Sequence, residues 1–148
     1  MATIRTSGKL AVALSEMAAN LSKAHTLRVG FLEGATYPDG TPVALVAAIL
    51  DGGAPARGIP PRPFFRNMVA EKSDEWPEAI GNLLKANEFD ADKALSLTGM
   101  AIKGQLEQSI VDTNDPPLAQ STIDRKGSAK PLVDTGHMLK SVDYEVKS

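Results

Sequence analysis

The chain has 148 residues, enough for one domain with its own core and too few for two comfortable ones. Hydrophobic residues make up 43% of it, which argues against wholesale disorder, and a net charge of −2 excludes a basic nucleic-acid-binding footprint. There is no cysteine, hence no disulfide frame and no thiolate metal or redox site, a composition that fits a reducing cytoplasm.

The expected protein is soluble and leaderless. Arg5 and Lys9 precede an apolar run, but Glu16, Asn20 and Lys23 break it, and no run approaches the roughly 18 residues of a membrane span. Aromatics are 5%, so an aliphatic core is expected.

Residues 7–24 read as an amphipathic helix. Leu10, Leu14, Met17, Leu21 and Ala24 recur at spacings of four and three, and Thr6 or Ser7 is placed to cap its start. Leu27, Val29 and Phe31 alternate with Arg28 and Gly30, the pattern of a strand with one buried face. Residues 33–41 form a loop around the turn signal Pro38-Asp39-Gly40. A short helix is favoured over 42–50, capped by Thr41, with Pro42 in its first turn and Gly52-Gly53 at its end; the alternative is a buried strand over Val43 to Val46.

Residues 54–63 contain Pro55, Gly58, Pro60, Pro61 and Pro63, which favours extended, irregular backbone. Phe64 opens another helix. Trp76 precedes Pro77 and is biased away from helical geometry, so a break is expected at 73–77 with Asp74 as the new cap. Ile80, Leu83 and Leu84 carry an apolar stripe to about Asn87. Asp90 caps a helix over 91–110 with Leu95, Ile102, Leu106 and Ile110 on one face and Gly99 and Gly104 inside it. Loop follows over 111–119, a helical turn at 121–123, and a polar stretch at 126–130. A short helix over 136–141 points Met138 and Leu139 inward, and Val142, Tyr144 and Val146 alternate into a last strand. Strands and helices in mixed order predict an α+β fold: a small mixed or antiparallel sheet packed against helices, with Gly- and Pro-rich loops, as a single domain over 1–148.

Three constellations could carry chemistry. Asp134-Thr135-Gly136 spells the letters of an aspartic peptidase, whose two facing aspartates share one proton to activate water. A dimer could supply the pair. Only 12 residues follow Gly136, however, too few for a flap and a second apolar strand, and His137 stands where a small residue is usual. Turn and cap geometry for Asp134 and Gly136 is the favoured reading. His137 and Ser141 are four apart and share a helix face, which evokes a base and a nucleophile without a third group or an oxyanion donor. Arg57, Arg62 and Arg66 flank Phe64 and Phe65, a combination suited to a partner-binding strip, to stacking on nucleic acid or to internal packing. His25 and His137 are the only histidines. No phosphate-binding glycine pattern occurs.

Two segments in order resemble a known family. Ile59-Pro60-Pro61-Arg62-Pro63-Phe64-Phe65-Arg66 resembles the "I-P-x-R-P-F" segment of the small tail-component, or virion-morphogenesis, proteins of tailed bacteriophages. The run Pro131-Leu132-Val133-Asp134-Thr135-Gly136-His137-Met138-Leu139-Lys140-Ser141-Val142 resembles that family's "P-L-x-D-T-G-x-[LM]-x-x-S-[IV]" ending. Ser121-Thr122-Ile123-Asp124-Arg125-Lys126-Gly127 is similar to its "T-I-x-x-K-G" lead-in. The distinctive letters cover about a quarter of the chain. Asp51-Gly52-Gly53 departs from the acidic-aromatic-Gly ending that the family often has there.

The resemblance implies a non-enzymatic structural protein with no cofactor and no metal. It implies tail completion or neck formation at the head–tail junction, as a ring of copies such as a hexamer around the DNA channel. The implied partners are other copies of itself, head-closure or connector proteins, and tail-terminator or tail-tube proteins. DNA is only passing cargo, and no membrane is involved. The implied location is the virion, after synthesis in the host cytoplasm. Arg62, Phe64, Phe65, Asp134, Gly136, Leu139 and Tyr144 are the residues expected to anchor the fold or contact neighbours. Two further expectations follow: the Gly- and Pro-rich segments order on assembly, and the acids between Glu71 and Asp92 face the channel. The readings left open beside this one are a dimeric peptidase and a small regulatory protein-binding module.

Overall fold

A computed structural model describes residues 8–24, 26–113 and 136–148. The fold is α+β, with a two-stranded antiparallel sheet packed against helices. Helix α1 (Gly8–Leu21) leads into strand β1 (Thr26–Phe31). Helix α2 (Val43–Gly52) is followed by a single 3-10 turn (Pro55–Arg57) and helix α3 (Phe64–Lys72). A second 3-10 turn joins α3 to α4 (Trp76–Ala86), and α5 (Ala91–Asp112) is the long helix. The chain ends in a one-turn helix, α6 (His137–Lys140), and strand β2 (Val142–Lys147).

Strand β2 pairs antiparallel with β1, Phe31 opposite Val142 and Leu27 opposite Val146. The alternation of both strands turns Leu27, Val29, Val142 and Tyr144 to one face, and α5 lies across that face. On its other sides α5 meets α3 and α4. Leu106 and Ile110 on α5, Val43 on α2, Phe64 on α3 and Val142 on β2 form the fully buried centre. The core is mostly aliphatic, as the low aromatic content implies.

The glycine at 99 is what lets the sheet approach α5. A Cβ there would stand 2.5 Å from Tyr144 Cδ2 and 2.8 Å from both Tyr144 Cγ and Leu27 Cδ1. At Gly104 the same addition meets open space. Opposite signs are therefore expected on one helix. Gly104→Ala stabilises by about 0.5–1 kcal/mol through helix propensity. Gly99→Ala destabilises by about 1 kcal/mol net, because overpacking against a ring base fixed to a strand outweighs that gain. Urea melts of the two variants read both signs.

Several local expectations change. Thr41 does not cap α2: its N–H donates to Asp39 Oδ1, and the cap position is held by Pro42 without a side-chain bond. Asp74 does not cap α4, and Trp76 is helical (φ −66°, ψ −43°) although it precedes proline. A tertiary bond wins there, since Trp76 Nε1 donates to Gln105 Oε1 on α5 at 3.0 Å. Helix α5 runs past 110 to Asp112.

Asp90 does cap α5. Its carboxylate accepts from the Lys93 N–H at 3.1 Å, and that bond holds the Asp90 carboxyl below its ordinary value; burial opposes it weakly and Lys23 adds to it. A folded pKa below the unfolded one stabilises above the unfolded value, and the contribution is lost as pH falls through the folded value. An NMR titration should place the Asp90 midpoint below that of an unfolded aspartate. First-turn amides of α5 should exchange faster once the pH passes beneath it, and Asp90→Asn should remove that dependence.

The proline-rich stretch is fastened by its own backbone bonds. The Ala54 and Ile59 backbones exchange hydrogen bonds at 2.8 and 3.1 Å, and the Arg62 N–H donates to the Leu50 carbonyl at 2.8 Å. Gly58 closes the turn in the left-handed region (φ 66°, ψ 22°). These bonds are made within one chain and weigh against the expectation that residues 54–61 order only on assembly. Protected amides at Ala54, Ile59 and Arg62 are expected in hydrogen exchange on the free protein.

Candidate functional site

The Ile59–Arg66 segment sits where α2, α3 and β1 meet. Arg62 is buried (6% exposed), and burial pushes its guanidinium down from the ordinary arginine value. Phe64 is buried beside it and meets Phe31 edge-on, ring centroids 6.2 Å apart. Its carbonyl accepts from Ser109 Oγ on α5 at 2.7 Å. The strip of arginines and aromatics is therefore not one exposed surface. Arg62 and Phe64 point into the fold, Phe65 is half-buried, and Arg57 and Arg66 lie outside. Any contact that Arg62 or Phe64 makes to another chain is indirect, through the shape of the segment they hold.

The junction of α2 and α3 is fastened by Asp51, the acid that opens Asp51-Gly52-Gly53. Its Oδ1 accepts from the N–H groups of Phe65 (2.9 Å) and Arg66 (3.3 Å), and its Oδ2 accepts from Arg66 Nε at 2.7 Å. Arg66 Nη2 in turn donates to the Asp51 carbonyl at 2.7 Å. Each side chain serves the end of the other's helix: a carboxylate at the N-terminus of α3, a guanidinium at the C-terminus of α2. Pro63, at the cap position of α3, offers no side-chain bond of its own.

Phe65 separates two apolar hollows. One, of about 280 Å³, lies against α2 and is lined by Phe31, Ala44, Ala47, Ala48 and Phe64. The other, of about 360 Å³, lies between β1, α3, α4 and α5 and takes in Val29, Val69, Trp76 and Ile80. A polar cleft of about 580 Å³ between α3 and α5 is lined by Glu71, Lys72, Gln105, Gln108 and Asp112.

At the other end of the chain, Asp134 lies outside the described residues. Gly136 adopts a left-handed conformation (φ 72°, ψ 5°) at the cap position of α6, which is the backbone role expected of it. Met138 is buried, Leu139 packs against the core, and the Tyr144 ring lies on Gly99. His137 and Ser141 do not form a base–nucleophile pair. Ser141 Oγ donates to the His137 carbonyl at 2.8 Å, while His137 Nε2 bonds the Thr36 carbonyl at 2.7 Å and the ring lies 4.8 Å from that of Tyr37. The imidazole ties α6 to the loop after β1. Asp134 and His25 fall among the undescribed positions. Among the described residues, no three His, Asp or Glu side chains converge as metal ligands, and no helix is long and apolar enough to cross a membrane.

One exposed apolar face was only half visible in the sequence. Helix α1 carries the apolar stripe expected of it, and none of its residues is buried: Leu10 is 49% exposed, Leu14 53%, Met17 36% and Leu21 41%. The 4-3-4 spacing gave the stripe; nothing in it says whether the chain's own body covers it. Comparisons with protein-family models, with curated proteins and with solved structures gave no match to this chain.

Proposed function

We propose that this chain is a non-enzymatic structural subunit of a tailed-phage virion, completing or joining the tail at the head–tail junction as a ring of identical copies. The observation that carries the reading is the ordered pair of segments, Ile59 to Arg66 and Pro131 to Val142, about 70 residues apart. The geometry is compatible with it in two respects. The described letters of both segments serve the frame: the first packs the hub between α2 and α3, and the second turns the chain through Gly136 into β2. An apolar helix face left open on a small domain is also what an assembling subunit presents.

Mass spectrometry of purified particles from the encoding phage tests the proposal directly. The chain should be present in the virion, and particles made without it should appear in electron micrographs as full heads beside finished but unattached tails if it joins them, or as heads without tails if it acts in tail assembly. Its absence from the virion would remove the reading.

A further inference from the structure

Among the described residues, Glu88 and Phe89 are the two non-glycine residues with positive φ, 57° and 59°. A Cβ makes that conformation costly, and two in succession persist only where their surroundings over-determine them. The turn between α4 and α5 does part of this with its own bonds. The Asn87 N–H and Nδ2 both donate to the Leu83 carbonyl, at 3.0 and 2.8 Å. The Phe89 N–H donates to the Leu84 carbonyl at 2.7 Å, and the Asp90 N–H to the Asn87 carbonyl at 3.0 Å.

The Glu88 carbonyl and one Asp90 oxygen are left to α1. Asn20 Nδ2 donates to the Glu88 carbonyl at 3.1 Å, and Lys23 Nζ pairs with Asp90 Oδ2 at 3.4 Å. Asn20 is the one residue of α1 that is not exposed, and Ala24, just past the helix, is buried. The end of α1 thus meets the body at its strained turn. We propose that the turn and the C-terminal end of α1 form one two-state latch. Latched, α1 holds Glu88 and Phe89 in their left-handed conformations. Unlatched, both residues return to negative φ and the end of α1 leaves with them.

The choice of residues supports a switch over a plain turn. Glycine adopts positive φ without cost, and neither position has one, so the strain keeps the latched state closer to balance with the open one. The Lys23–Asp90 pair is solvent-exposed and adds little, which leaves Asn20 as the main fastening. Asp90 carries the change onward. Its other oxygen caps α5 by accepting from the Lys93 N–H at 3.1 Å, so the carboxylate that meets α1 also sets the first turn of the long helix under the sheet. The latch belongs to the single chain and is independent of the virion reading.

Hydrogen exchange on the full chain reads the latch from both sides, because coupling between two sites is reciprocal. Asn20→Ala, which a helix tolerates, should speed exchange of the Phe89 and Asp90 amides about tenfold. Glu88→Gly relieves the strain from the turn side. It should slow exchange on α1 severalfold, at the Ser22 and Lys23 amides that donate to the Ala18 and Asn20 carbonyls. The amide of Leu106, fully buried on α5, should be unchanged in both variants and shows that the fold is intact. Unchanged Phe89 and Asp90 amides in Asn20→Ala would overturn the inference, since the turn would then hold its strain by local bonds alone. Effects confined to the mutated side in each variant would overturn it as well, since α1 and the turn would then open separately.

Discussion

Replacing Phe64 with alanine should lower the unfolding free energy by about 3–5 kcal/mol, the range for deleting a buried phenyl ring. Phe64 is 1% exposed and has neighbours on every side: Phe31 edge-on from β1, Ala47 from α2, and α5 beneath, where Ser109 bonds its carbonyl. The site cannot collapse easily, because the Phe64 backbone is fixed by that bond and by the Asp51 clamp one residue on. With a total stability of about 5–15 kcal/mol, the loss consumes a large part of it. For a chain of this size it corresponds to a fall in Tm of roughly 6–20 °C. Phe65→Ala is the control. Phe65 is half-buried between two open hollows, so its truncation should cost clearly less and affect association more than melting. Equal losses at the two positions would mean that the hub is not packed as described.

The contrast between Phe64 and Phe65 shows what the sequence could and could not disclose. Adjacent aromatics after a proline run announce a packed or binding segment, but which ring goes inward depends on the direction in which α3 leaves Pro63. The same holds for Arg62, whose charge suggested surface and whose burial follows from its backbone bond to Leu50. Strand alternation was legible because period two leaves one choice of face once a core exists, and β1 and β2 pair in a register that keeps Leu27, Val29, Val142 and Tyr144 together. The cap at Asp90 was legible because capping is local. The helical Trp76 was not, since a bond to Gln105, 29 residues away, outweighs the pre-proline bias. The open stripe of α1 was not either, because amphipathicity declares an apolar face and not the molecule that covers it.

Asp51→Ala should cost about 2–3 kcal/mol, a large effect for a polar residue outside the core. The side chain is only 14% exposed, and its loss leaves two backbone N–H groups at the start of α3 without their acceptor. An N-cap lost to alanine costs about 0.5–2 kcal/mol, and a hydrogen bond to a charged group is worth about 1.5–3 kcal/mol. The ion pair itself adds little, since the Arg66 side chain is 63% exposed and screened by water. The variants should therefore rank by what they do to the helix ends. Arg66→Ala removes the donor to the Asp51 carbonyl at the end of α2, which water can replace, and should cost about 0.5–1 kcal/mol. Asp51→Asn keeps one acceptor for the Phe65 and Arg66 amides but turns a donor toward Arg66 Nε, and should fall between the two. A double-mutant cycle in urea should give a coupling for Asp51 and Arg66 smaller than the cost of Asp51→Ala alone, because most of that cost lies in the amides of α3. A coupling as large as the single-mutant cost would reverse the assignment and make the ion pair the fastening. The clamp also gives roles to the two letters of Asp51-Gly52-Gly53 that keep the acidic-aromatic-Gly pattern, while at Gly52, the letter that departs, a Cβ would meet open space. The acid caps α3, and Gly53 turns the chain at φ 76°, where a Cβ would stand 2.8 Å from the Pro61 nitrogen, so the glycine lets the proline segment fold back against the end of α2.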